Sequence, residues 1–118
     1  MKTATDIAQS QQELCRKYQA GCEPPTSRLK LGISRDFFSG KMPLNGLRHP
    51  PVGDTCGWYL WAGEEFSEAA DYFQPVHVSH LVERDSEVVR YLGLPAGWRF
   101  LVAGDQEDVW FDPKLLEA

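Results

Sequence analysis

The segment Gly57-Trp58-Tyr59-Leu60-Trp61-Ala62-Gly63 constrains this chain more than any other. Its density of large aromatic side chains between two glycines predicts a β-strand. Trp58 and Trp61 are three positions apart, so a strand sends them to opposite faces. One then belongs to the core, and the other is exposed or lies under the loop that precedes the strand. Trp98 and Trp110 fall on the two arms of a later hairpin. Burial is the default for all four tryptophans, because a small domain fills its centre with large side chains. Any tryptophan left exposed is a candidate anchor for a protein partner.

Other elements can be placed around that strand. Ile7, Leu14, Cys15 and Tyr18 follow a helical spacing, with Asp6 as a cap and Gly21 as a stop before Pro24-Pro25. This helix is thinly apolar and should lie on the domain surface. Arg28 to Ile33 alternates like a strand with one wet face, and Asp36 to Lys41 reads as a turn. Met42 to Gly57 carries Pro43, Gly46, Pro50, Pro51, Gly53 and Gly57, which predicts a long irregular loop. Phe66, Ala69, Ala70 and Phe73 recur as one helical face, with Glu64, Glu68 and Asp71 on the other.

Pro75 to Val78 suggests a brief strand. Ser79 or His80 opens a short helix, and Asp85 caps a second with Val88, Val89 and Leu92 buried before Gly93 ends it. Trp98 to Ala103 and Val109 to Phe111 flank Gly104 to Asp108 as a hairpin with a polar turn. Strands joined by hairpins and short helices predict a single α+β domain with a mainly antiparallel sheet. Residues 1–26 form an N-terminal helix and linker packed on it, and residues 27–118 form the domain proper.

A chain of 118 residues hides about two-thirds of its surface on folding, enough for a core without disulfides. Cys15, Cys22 and Cys56 are an odd number, and no apolar run follows the N-terminal Met1-Lys2. Both features predict reduced thiols in the cytoplasm. No stretch has the length of a membrane span. Charge is uneven: residues 1–59 hold eight basic and five acidic side chains, residues 60–118 four and twelve. The acidic half disfavours nucleic acid, which needs a basic face, and favours a basic protein partner through faster encounter. Its candidate contact residues are Glu64, Glu65, Glu68, Asp71, Asp105, Glu107 and Asp108.

Catalytic signatures are missing. There is no phosphate-binding Gly-x-x-x-x-Gly-Lys-Ser/Thr string and no Gly-x-Gly-x-x-Gly. Gly32-Ile33-Ser34-Arg35-Asp36 lacks the second glycine of a nucleophile elbow. Acid–base hydrolysis needs two carboxyls in unlike environments, whereas Glu64, Glu65, Glu68 and Asp71 are alike. His77 and His80 straddle a strand end and a helix start, and the cysteine spacings do not suit zinc. We therefore expect no catalytic residues, no metal and no cofactor.

Four phrases together resemble the bacterial immunity protein 33 family. They are Ile33-Ser34-Arg35-Asp36-Phe37, the run from Gly57-Trp58 to Glu64-Glu65, Val76-His77-Val78-Ser79-His80-Leu81, and Leu92-Gly93-Leu94-Pro95-Ala96-Gly97-Trp98-Arg99-Phe100. The resemblance runs from Leu29 to Pro113 and leaves the N-terminal helix outside. It implies a small cytoplasmic α+β protein that neutralises a toxin of a polymorphic or contact-dependent system. It brings no catalytic residues, and Trp58 matches a tryptophan of the family with a structural role. The expected partner is a toxin domain, with the chain itself a monomer or homodimer. Two other readings stay open: a small ligand-binding or enzymatic domain with a pocket under the 42–57 loop, and a regulatory subunit with no toxin.

Overall fold

The computed structural model describes residues 3–64, 72–84 and 87–117. In chain order these form helix α1 (Ala4–Lys17) and strands β1 (Lys30–Ser34), β2 (Leu44–Arg48), β3 (Thr55–Ala62) and β4 (Phe73–His77). A short helix α2 (Val78–Glu83) and a 3-10 helix (Glu87–Tyr91) follow. Strands β5 (Trp98–Ala103) and β6 (Gln106–Phe111) and a second 3-10 helix (Pro113–Leu116) complete the fold. The six strands make one sheet in the order β4-β1-β3-β2-β5-β6. Only the β1–β3 pair is parallel. The α+β architecture with a mainly antiparallel sheet is thus as the sequence predicts.

Strand alternation divides the sheet into two unlike faces. On one, Leu31, Ile33, Trp58, Leu60, Phe100 and Val102 meet Leu14 and Cys15 of α1, Leu81 of α2, and Val88 and Leu92. This is the main core. Trp58 is fully buried at its centre, with its indole N–H donating to the Leu92 carbonyl at 3.0 Å. Helix α1 is capped by Thr3, with Asp6 returning the bond from the third helical position, so Asp6 is part of the cap box and not the cap itself.

The long loop expected over Met42–Gly57 is instead largely sheet. Leu44–Arg48 is an interior strand, buried at all five positions and paired on both sides. Its punctuating residues have other duties. Pro43 follows a cis peptide bond just ahead of the strand. Gly46 is there because the Phe100 ring crosses it, 2.2 Å from where a Cβ would stand. Pro50, Pro51 and Gly53 make the short link to β3. Gly57 adopts φ 94° where β3 bulges against β1, and a Cβ there would sit 1.9 Å from the His49 carbonyl oxygen.

Arg48 is the one buried basic side chain among the described residues. Its guanidinium donates to the carbonyls of Cys56, Glu23 and Leu94 at 2.7–2.9 Å, joining the linker after α1 to β3 and to the turn before β5. Backbone oxygens satisfy its donors without a buried carboxylate, and the guanidinium lies over the Trp58 ring, 5.8 Å from its centre.

Three smaller expectations change. The helix read over Phe66–Phe73 lies outside the described residues except at Tyr72 and Phe73, and Phe73 opens β4 and pairs with Ser34. Helix α2 starts at Val78, one residue before the expected Ser79. The final hairpin turns at Gly104-Asp105 alone, with Gly104 at φ 59°. Gln106, Glu107 and Asp108 therefore belong to β6: an edge strand with one face in water accepts the polar residues that made them look like a turn.

Candidate partner-binding face

Among the described residues the second face of the sheet is the barer one, although Asn45, Leu47 and Trp61 on it are buried. Among the described residues its cover is the 3-10 helix at Pro113–Leu116 and the return of the chain at Tyr72. Leu115, Tyr72 and Phe73 gather there with Leu47 and Trp61 into a small second cluster. Across its middle the strand register sets Pro75, Gly32, Tyr59, Leu47, Arg99 and Trp110 in one row. Gly32 leaves room for the Tyr59 ring, which would come within 2.8 Å of a Cβ at that position. Tyr59 then stands edge-on to Phe73 and to His49, at 5.3 and 5.7 Å between ring centres. His49 is oriented by its Nδ1, 3.2 Å from the Leu115 carbonyl oxygen.

The face ends in a second aromatic. Trp110 of β6 lies under the Arg99 guanidinium, 5.4 Å from the ring centre, and Arg99 also reaches Asp112 at 3.3 Å. Tyr59 is 36% exposed, Trp110 39% and Leu116 46%. Flat aromatic rings fixed by their neighbours and open on one side lose little entropy when covered, the property of interface anchors. Near Tyr59 the face dips into a hollow of about 160 Å³ between Gly32, Tyr59, Phe73 and Pro75. Its one charged side chain is Lys30, ion-paired with Asp54 at 3.2 Å. It carries no pair of carboxyls for acid–base chemistry, and of the 42–57 segment it is lined by Thr55 and Gly57, which belong to β3.

The acidic residues separate into distinct roles. Ala62, Leu44, Val102 and Glu107 share one row, so Glu64 beyond β3 and Asp105 in the hairpin turn leave the sheet at the same end. Both are exposed, as is Asp108 on the bare face. Glu65, Glu68 and Asp71 lie outside the described residues. Glu107 points the other way. Its carboxylate accepts bonds from Tyr18 and Tyr91 at 2.5 Å, from Lys17 at 3.0 Å, and from Arg90. Partial burial alone would raise its pKa, yet these four donors outweigh burial and hold it down to about 2. Glu107 fastens α1 and the Glu87–Tyr91 helix to β6.

The tryptophans are now assigned: Trp58 in the main core, Trp61 buried in the second cluster, Trp98 half-buried against Phe111, and Trp110 open. Tyr59 and Arg99 were not singled out by sequence. Their signal was parity, since each alternates with a core residue of its own strand. The three thiols are free, Cys15 and Cys56 buried and Cys22 exposed. Burial and the neighbouring Cys22 push the Cys15 thiol up to about 12, so it is inert. Among the described residues no three His, Cys, Asp or Glu side chains converge on a metal position, and no helix is long and apolar enough to cross a membrane. His77 ends β4 and His80 lies within α2.

Compared with known proteins, residues 10–112 match the family model of the Imm33-like domain, a span that takes in the second half of α1. No curated protein and no solved structure gives a match.

Proposed function

The chain belongs to the Imm33-like family, and on that premise we propose that it is a cytoplasmic immunity protein that binds and neutralises a bacterial toxin domain by covering it. The reading is carried by one observation: among the described residues α1, α2 and the Glu87–Tyr91 helix pack on one side of the six-stranded sheet, and Tyr59, Arg99 and Trp110 stand in one row on the other, with Tyr59 and Trp110 open. Tyr59 and Trp110 are the anchors, and the small cluster around Trp61 and Leu115 stiffens the surface between them. Inhibition is steric and needs no reaction on the immunity side.

Charge supplies approach. Glu64 and Asp105 at one end of the sheet, Asp108 on the face, and Glu65, Glu68 and Asp71 following Glu64 in sequence attract a basic toxin domain. Such steering acts on the association rate and weakens with salt. The test is a pulldown of the tagged chain from its native host with mass spectrometry, alongside Tyr59→Ala and Trp110→Ala. The expected result is a toxin domain captured by the parent chain and lost from the double variant. Equal capture by both chains would remove the bare face from the mechanism.

A further inference from the structure

The sheet has two outer edges, and they are not alike. At one, β4 carries Pro75, which has no N–H to offer a further strand. At the other, β6 (Gln106–Phe111) has no proline, glycine or lysine. Its outward groups follow from one bond. The Asp112 amide donates to the Gly97 carbonyl at 2.7 Å, so in this register Trp110, Asp108 and Gln106 turn their backbone groups to β5. Glu107, Val109 and Phe111 turn theirs outward. The strand also holds two of the exposed large side chains, Trp110 at 39% and Phe111 at 46%. Charge does not guard the edge fully, because Glu107 is already engaged by Lys17 and Arg90.

We propose that the outer edge of β6 is a self-association site, where two copies pair antiparallel about Val109 and join their sheets into one. The choice of a second copy over a foreign strand rests on charge and register. Outward groups must face outward groups, so three frames bring the strands together. Shifting one way sets Asp108 against the second copy's Asp108, and shifting the other sets it against Asp112. The frame centred on Val109 opposes no two carboxylates: Asp108 meets the second copy's Trp110, and Glu107 meets Phe111. Like charges directly opposite destabilise a pair, and a charge beside an aromatic does not. The strand is therefore complementary to itself in one frame. The pairing uses backbone at the edge and leaves Tyr59 and Arg99 uncovered, so the bare faces of the two copies run on as one surface.

In that frame Asp108 and the second copy's Trp110 form a non-hydrogen-bonded pair, with Cα atoms about 4.5 Å apart, within disulfide reach. Both positions are exposed, so cysteine there spares the fold. In a Cys22→Ser background, chains carrying Asp108→Cys and chains carrying Trp110→Cys are mixed and oxidised by air. The parent's mass is followed by sedimentation through the micromolar range. The expected results are a parent of twice 13.4 kDa and a mixed species linked 108 to 110, at least about tenfold over either chain alone. A parent monomeric throughout the range overturns the proposal. So does a dimer linked 108 to 108 or 110 to 110, or one giving no mixed link. A monomer whose capture of a toxin is lost on Val109→Pro would assign the edge to a toxin strand instead.

Discussion

Replacing Glu107 by glutamine removes one negative charge and keeps the shape. In the folded chain the carboxylate is held down to about 2 against a usual 4.5, with its side chain 13% exposed. That interval, at about 1.4 kcal/mol for each pH unit, is worth about 3 kcal/mol at neutral pH. Lys17 and Arg90 stand largely in water, which screens their share, so about 2 kcal/mol is the expected loss. The sign follows from a depressed folded value. The stabilisation is complete above pH 4.5 and disappears as pH falls through about 2. Parent and Glu107→Gln should differ in thermal midpoint by about 8 °C at pH 7, and the gap should close on acidification. The assay is a pair of melting series in circular dichroism from neutral to acid. Equal midpoints at pH 7, or a gap that persists unchanged in acid, would refute an electrostatic fastening of α1 to β6.

Trp58→Ala should cost about 4 kcal/mol in denaturant titration, since it empties the centre of the core and removes the indole bond to the Leu92 carbonyl. Gly57→Ala should give little folded protein at 37 °C, judged by soluble yield, because the added methyl meets the His49 carbonyl. Replacing Glu64, Glu68 and Asp71 together by lysine should slow toxin association about tenfold at low salt in stopped-flow, with an unchanged thermal midpoint. An unchanged on-rate would leave these residues a role in solubility alone.

What could be read from sequence depended on whether one element's signal was local. β3 was legible because its aromatic run has no other use, and so was the opposition of Trp58 and Trp61. β2 was not. Pro43, Gly46 and Pro50 carry turn chemistry, and only the crossing of the Phe100 ring, fifty-four residues away in the chain, explains a glycine inside that strand. Glu107 failed for the same reason. It reads as one more acid in a polar stretch, and its four donors come from α1 and the Glu87–Tyr91 helix. Tyr59 was within reach of alternation, yet alternation alone does not say which face α1 and α2 cover.

The bare face and the core are written on the same strands, one residue out of step. Along β3 and β5, Tyr59, Arg99 and Leu101 alternate with Trp58, Leu60, Phe100 and Val102. Neighbours in the chain therefore answer to different demands, one to folding and the next to whatever the face meets. A lineage whose adversary changes could exchange the odd positions of these strands singly, without assembling a compensating set in the interior. Divergence in such a lineage should appear as a comb, with variable and constrained teeth at a spacing of two. That comb should stop where the cluster around Trp61 and Leu115 ties the outer face back to packing.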